Sequence, residues 1–364
     1  MTPERISVGG LSETWSAPPV DGLDAPLVLE RSIALVSRDQ ELLTQLEIET
    51  RALASLPAPF RRVLEVRRTQ TAVEVLQERF VGVSGRQLVL ALTRQGRLLP
   101  IDVWLALAGL LCRGWAVIPI QSAAWRMVPT IESFGIDVRQ RVQLFPEPHH
   151  SLALELARAP AQGMLVTPRW ENFSPEHATR ADVIDERARV FSLSTVLVEL
   201  LTGERPFRRS SALATLQATL SGEPSWRPQH HPQSNIGLSA VLSRALARNP
   251  EERPRSLEAL WAQLSDVVKV KPADTRRVAN VVLGVELELL RRTLSSLRAE
   301  PGALPPSWQQ GGLEVLEDQL LEALVPLDEL PESRAPVATG SSPPRVNLAG
   351  VRRPWWQGLW PFGQ

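Results

Sequence analysis

Arg189-Val190-Phe191-Ser192-Leu193-Ser194-Thr195-Val196-Leu197-Val198-Glu199-Leu200-Leu201-Thr202-Gly203-Glu204-Arg205-Pro206-Phe207 is apolar on nearly every face from Val190 to Leu201 and then meets a glycine. A helix that is apolar all round is a buried core helix, and Gly203 stands in a helix-stop position. Ser192 and Ser194 lie inside this run, and no nucleophile elbow surrounds them. Upstream, Pro100 to Val117 is equally apolar and reads as a second core helix. Downstream, Leu238 to Ala247 and Ser256 to Val267 show amphipathic periodicity and are separated by the turn Asn249-Pro250-Glu251-Glu252-Arg253-Pro254. The stretch from about 86 to 267 is therefore mainly helical.

The preceding 80 residues have a different rhythm. Ile6 to Ala17 reads as a strand pair turning at Gly9-Gly10, Pro26 to Ile33 as a strand, and Asp39 to Ser55 as a helix with Leu42, Leu43, Leu46, Ala52 and Leu53 on its apolar positions. Val63 to Arg68 and Ala72 to Phe80 complete a small antiparallel sheet. Beyond Val268, helical segments near Val278 to Arg298 and Leu313 to Leu324 are joined by Pro301 to Pro306. A Pro/Gly/Ser-rich linker then runs from Pro331 to Gly350.

The chain has 364 residues, 40 basic and 40 acidic side chains, and 43% hydrophobic residues, which fits one large or two modest soluble globular domains. Zero net charge gives no reason to expect nucleic acid as a partner. Of the basic residues only Lys269 and Lys271 are lysines, so no lysine-dependent chemistry is available in the first 268 residues. Tyrosine is absent, whereas there are 11 tryptophans. The single cysteine, Cys112, excludes a disulfide framework within one chain and a Cys-based zinc site, and it reads as a buried small hydrophobe. The N-terminus lacks the apolar core of a signal peptide. The longest apolar run, Trp104 to Cys112, is about half of the roughly 20 residues needed to span a bilayer. A cytoplasmic location is expected.

A small β lobe with one helix followed by a larger helical lobe resembles the bilobal Ser/Thr protein kinase family. Arg189 to Phe207 is similar to that family's central buried helix and the TG-x-x-PF loop after it. Arg244 to Pro254 is similar to the ALxxxPEERP signature of the bacterial members. Thr167-Pro168 and Ser174-Pro175-Glu176 sit where the activation segment ends. The resemblance implies an ion pair between Glu176 and Arg253. In the N-lobe, Ile6 to Trp15 resembles the phosphate loop, Leu46 to Leu56 the regulatory helix with Glu49 at its glutamate, and Val75 to Phe80 the hinge. The likeness covers about residues 4 to 267. It implies an α+β, bilobal fold with an N-lobe at 1–80, a C-lobe at 81–267, a helical extension at 268–330, and a linker with a Trp-rich motif at 331–364.

The positions that carry phosphoryl transfer in the family are altered here. Of the phosphate-loop glycines, the first and third fall on Ser7 and Ser12, leaving Gly9 and Gly10 as a vestigial loop. The strand lysine aligns with Glu30. Arg31 beside it points to the other face of the strand. The catalytic loop falls on Arg126-Met127-Val128, which puts Val128 at the base, Thr130 at the following lysine and Ser133 at the metal-binding asparagine. The principal metal ligand falls on Pro146, next to Glu147. Arg189 stands where an aspartate braces the catalytic loop, so the brace reads as lost with what it braces. These substitutions predict a pseudokinase that is not an enzyme, with no catalytic residues, no cofactor and no metal. The histidines 149, 150, 177, 230 and 231 read as solvated loop residues without metal spacing.

The C-terminal cluster Trp355, Trp356, Leu359, Trp360 and Phe362, preceded by Arg352 and Arg353, reads as an interaction motif. Large aromatic rings and arginine dominate interface energetics. The expected function is a regulatory scaffold with a protein partner, an active kinase or a multiprotein assembly being the candidates. Residual nucleotide binding, or an atypical transferase, is the alternative. A third reading is a peripheral membrane adaptor at the inner face of the membrane, held by the Trp/Arg tail. No nucleic-acid partner and no small-molecule substrate are expected.

Overall fold

The computed structural model describes residues 5–8, 12–17, 27–32, 40–137, 141–145, 170–179, 184–226 and 235–299. Strands β1 (Arg5–Val8), β2 (Ser12–Ala17), β3 (Leu27–Ser32), β4 (Val63–Arg68) and β5 (Val73–Glu78) form an antiparallel sheet in the order β1-β2-β3-β5-β4. Alternation along the strands gives this sheet two faces. Leu27, Leu29 and Leu76 share one face, packed with Trp15, Ala17 and Leu64. Val28, Glu30, Val75 and Gln77 lie on the other. Helix α1 (Gln40–Ala54) buries Leu43, Leu46 and Thr50 at helical spacing. It is tied to β4 by Arg68, whose guanidinium donates to Gln40 Oε1 at 2.7 Å and faces Glu47 at 3.6 Å.

A second antiparallel sheet, β6 (Gly82–Ser84), β7 (Phe134–Asp137) and β8 (Val142–Leu144), belongs to the helical lobe. Phe134, Ile136 and Leu144 point from it into the large core. Ser84 ends β6 and starts α2 (Gly85–Arg94) with a reciprocal cap: its hydroxyl accepts from Gln87 N and Gln87 Oε1 accepts from Ser84 N. Around α5 (Glu186–Thr202) pack α3 (Ile101–Ala116), α7 (Ile236–Ala245) and α8 (Leu257–Val268). The short α4 (Pro175–Thr179) and α6 (Ala212–Ser221) complete the lobe. Helix α5 is buried on every side, as an apolar surface without a polar stripe requires. Asp185 caps its start, and Gly203, at φ 76°, ends it in the left-handed conformation that a side chain disfavours. Trp104 of α3 is fully buried and donates its indole N–H to Leu197 O at 2.9 Å, which satisfies its one polar atom inside the core.

The last described helix, α9 (Thr275–Ala299), joins this core rather than standing apart from it. Val278, Ala279, Val282, Leu283 and Val285 are buried at a spacing of three and four. Gln95 donates to Val285 O at 2.8 Å, Ala273 N to Asp102 O at 3.0 Å, and Arg277 forms an ion pair with Asp102. That arginine, through its hydrogen bond, holds the Asp102 carboxyl below the usual range. The helix expected near 313–324 and the Trp355 to Phe362 cluster lie outside the described residues. Among the described residues no helix is long and apolar enough to cross a membrane.

If α9 belongs to the core, emptying one of its buried positions has the cost of a core truncation. Leu283→Ala should therefore destabilise the chain by about 2–3 kcal/mol. A urea midpoint unchanged from the parent protein would show instead that α9 packs only loosely.

Candidate functional site

The α1-side face of the N-terminal sheet carries the first group of candidate residues. Glu30 accepts a hydrogen bond from Gln77 Nε2 at 2.9 Å across the β3–β5 pair. Glu49 of α1 is 3% exposed and accepts from Gln45 Nε2 at 3.0 Å, one turn earlier. Each carboxylate thus accepts a hydrogen bond from a glutamine of its neighbourhood. Arg31 turns to the opposite face, where it lies 3.6 Å from the buried Glu74, which also pairs with Arg67. Gly9 and Gly10 are outside the described residues.

On the helical lobe, Val128 is 2% exposed and packs with Phe173 and the partly buried Trp170. Two residues on, the hydroxyls of Thr130 and Ser133 are hydrogen-bonded to each other at 2.9 Å, and Thr130 N donates to Ser133 Oγ at 3.1 Å. Ser133 O accepts from Phe145 N, which joins the loop to β8. Pro146 and Glu147 lie outside the described residues. Nucleotide phosphates with their metal need convergent cations and carboxylates. An apolar side chain, two self-paired hydroxyls and the acidic Glu30 do not fit that group. Among the described residues no three His, Cys, Asp or Glu side chains gather into a metal-holding cluster.

Arg189 corrects the expectation that the loop's brace is lost. It is 3% exposed and donates to Trp125 O at 2.9 Å and Trp115 O at 3.1 Å, with its guanidinium 3.6 Å over the Trp125 ring. An aspartate would hold backbone N–H groups, whereas an arginine holds carbonyls, so the same loop is anchored with the polarity reversed. Burial pushes the Arg189 pKa down to about 9, so it keeps its charge at neutral pH.

Glu176 and Arg253 meet in a bidentate pair, both N–O distances being 2.9 Å. Burial raises the Glu176 pKa, but hydrogen bonding and charge from Arg253 outweigh it and hold the carboxyl below its ordinary value. His177 also departs from expectation, because it is a buried helix residue rather than a solvated loop one. It lies in α4, 7% exposed, with Nδ1 2.8 Å from the Ser174 hydroxyl, and burial lowers its pKa to about 4. The other four histidines lie outside the described residues. Cys112 is buried, and burial pushes its thiol up to about 12.

One group escaped the sequence reading. Arg205 bridges Glu199 at 3.2 Å and Glu171 at 3.1 Å, while Arg86 stands 3.6 Å from Glu199 and 3.8 Å from Glu132. The signal was present: Glu199 is an acid inside an otherwise apolar helix, and a buried carboxylate demands a cation. Burial raises its pKa even so.

No family model matches the chain. Over 105 residues it is 37% identical to the serine/threonine-protein kinase PknB of Mycobacterium leprae, covering 29% of this chain and 17% of that protein. Over 160 residues it is 32% identical to the serine/threonine-protein kinase pkn3 of Myxococcus xanthus, covering 42% and 28%. Over 113 residues it is 36% identical to the tyrosine-protein kinase MasK of Myxococcus xanthus, covering 29% and 17%. The crystal structure of the PknI kinase domain of Mycobacterium tuberculosis superposes with a TM-score of 0.54 at 18% identity, covering 72% of this chain and 93% of that one. The chain is protein-kinase-like. Its fold is the bilobal α+β kinase fold, and it spans only 17% to 28% of the length of these curated relatives. The expectation that it is not an enzyme is overturned by the same relatives, which are named as Ser/Thr and Tyr protein kinases and point to a kinase enzyme.

Two outcomes test the α4 junction. Glu176→Gln leaves a buried guanidinium without its counter-charge and should cost about 3 kcal/mol in denaturant unfolding. Acid should weaken the junction through both groups. The Glu176 contribution, present above the ordinary carboxylate pKa, is lost as pH falls through its depressed folded value. His177 stays neutral in the fold down to about pH 4. The unfolded chain binds that proton from about pH 6.5 downward, so stability falls across this window by up to roughly 3 kcal/mol. His177→Asn should flatten this part of the pH–stability profile, and a profile identical to the parent's would refute the assignment.

Proposed function

We propose that this kinase-like chain is a regulatory protein that works through protein contacts, with its helical lobe as the platform. The observation that carries this reading is Val128. At the loop position where the resemblance places the base, the side chain is buried against Phe173 and Trp170. Thr130, Ser133, Glu30 and Gln77 likewise make their hydrogen bonds within the chain. The C-lobe skeleton is meanwhile retained, from the α5 helix to the Glu176–Arg253 pair. Its proposed partner is a protein, an active kinase or a multiprotein assembly. Trp355, Trp356, Leu359, Trp360 and Phe362 are the proposed docking residues. Arginine and tryptophan on one short segment are the types that carry binding energy when desolvated in a partner's pocket.

A second reading, an atypical transferase or residual nucleotide binder, is favoured by the kinase names of the relatives. Under it, Glu30→Ala removes a carboxylate that repels phosphates and enlarges the thermal shift produced by ATP with Mg²⁺.

Adding the full chain to a purified active Ser/Thr kinase is expected to change that kinase's rate of substrate phosphorylation. The Trp355→Ala, Trp356→Ala, Trp360→Ala triple variant is expected to leave the rate as it was. Equal effects of the two proteins would remove the tail from the mechanism. Flotation with anionic liposomes that the triple variant loses would move the tail from a protein to a membrane surface.

A further inference from the structure

Four consecutive residues stand clear of the helical lobe where α5 leads into α6: Ser210, Ser211, Ala212 and Leu213 are all exposed, Leu213 by 65%. Their base is rigid. Phe207 is fully buried, and its ring stacks on that of Phe191 with centroids 5.2 Å apart. Pro206 O accepts from Ser225 N at 2.6 Å and from Ser225 Oγ at 2.9 Å. Arg209 is held at both ends, its N donating to Thr215 Oγ1 at 3.0 Å and its guanidinium to Glu223 O at 2.6 Å. Arg208 is the outward member of the pair, with a side chain 61% exposed that faces Glu171 only at 3.9 Å. The segment is therefore a ledge of accessible hydroxyls just after two cations. Ser211 has extended backbone, with φ −132° and ψ 160°. Its Oγ accepts from Ala214 N at 3.1 Å, so its own proton is not engaged in that bond. The first buried residue of α6 is Thr215, so the chain from Ser210 to Leu213 can leave the helix without opening the core.

We propose that Ser211 is a phosphorylation site, modified by an arginine-directed Ser/Thr protein kinase that takes this chain as its substrate. Such an enzyme needs an exposed serine on extended backbone and a cation upstream that it can grip. Arg208 stands three residues before Ser211, about 10 Å along an extended chain, and is free to be gripped. In the transfer, Ser211 Oγ forms a bond to the γ-phosphorus of ATP and the bond from that phosphorus to the ADP oxygen breaks. The hydroxyl proton goes to the base of the modifying enzyme. The phosphoserine carries a charge of about −1.5 to −2, which offsets that of Arg208 and Arg209. Charge-assisted hydrogen bonding to the phosphate then draws Arg208 away from Glu171, which keeps Arg205 at 3.1 Å. The ledge thereby changes from a cationic surface to a nearly neutral one. The choice of modifying enzyme rests on the reading above in which an active kinase is a candidate partner, whereas accessibility rests on the ledge alone.

The full chain is incubated with a purified arginine-directed Ser/Thr kinase and Mg·ATP, beside a free peptide of residues 205–217, and phosphate is located by tandem mass spectrometry. Phosphate is expected on Ser211 of both. Ser211→Asn keeps a side chain that can cap α6, so it should stay folded and lose this phosphate. Arg208→Ala should slow the initial rate at Ser211 by at least about tenfold, the worth of one charge-assisted hydrogen bond. Phosphate on the peptide but none on Ser211 of the folded chain would overturn the accessibility of the ledge. Phosphate on neither would overturn recognition of this segment. Label confined to Ser210 and unchanged in Ser211→Asn would overturn the assignment to Ser211, and equal rates for the parent and Arg208→Ala would overturn the part given to Arg208. The regulatory reading stands or falls separately, on the rate effect of the Trp355→Ala, Trp356→Ala, Trp360→Ala variant.

Discussion

The helical lobe is organised around one buried cation. The side chain of Arg253 is fully buried, and its donors reach Ala247 O at 2.7 Å, Arg248 O at 2.8 Å, Arg187 O at 3.2 Å and both oxygens of Glu176 at 2.9 Å. Its guanidinium lies 4.9 Å from the centroid of the Phe191 ring. One side chain therefore fixes the end of α7, the first turn of α5 and the short helix α4 relative to each other. Taking two charges from water is costly, so such a pair adds little net stability compared with a hydrophobic replacement. Its effect is on specificity. A planar fork with five donors accepts only one arrangement of those carbonyls and that carboxylate, which a lysine could not specify.

The same geometry explains how far the sequence could be read. Helices α3, α5, α7 and α8 announced themselves because their burial is written in apolar periodicity over ten or more residues, and β1 to β5 because alternation and turns bound them. The second sheet was harder. Its strands are three or four residues long, and β7 carries a glycine whose purpose is visible only when Phe80 is found seated on it. His177 looked like a loop residue because α4 is five residues long, too short for a periodic signal. Arg189 was legible as a substitution but not as a replacement anchor, since which carbonyls come within reach is a property of the folded chain. Residue identity located the candidate site. It could not show that Glu30 and Glu49 would each find a glutamine.

Those two glutamines bear on how the lobes are held. A lysine between a strand and α1 would couple the helix position to the cleft through one charge. Here Glu30 is bound sideways to β5, Glu49 is bound within its own helix, and α1 is secured to β4 by Arg68 at its other end. The helix is thereby tied to the sheet edge through Arg68. The aromatic contact of Phe80 with Phe145 joins the linker between the two sheets to the end of β8.

The skewed composition, rich in arginine and tryptophan and poor in lysine, follows a physical pairing. Arg189 lies 3.6 Å from the centroid of the Trp125 ring and 5.9 Å from that of Trp115, and Arg113 lies 5.8 Å from that of Trp261. A guanidinium is weakly hydrated and flat, so it can enter a low-dielectric interior by stacking on an indole while its edge donates to carbonyls. An ammonium is compact and strongly hydrated and has no face to stack. Within this lobe stacking on tryptophan stands beside the Glu176–Arg253 pair as a second way to bury a cation: Arg189 keeps its charge at neutral pH among two carbonyls and two indoles. A coding bias toward arginine would supply the residue at every basic position, but packing of this kind explains why the buried Arg189 stands between two tryptophans.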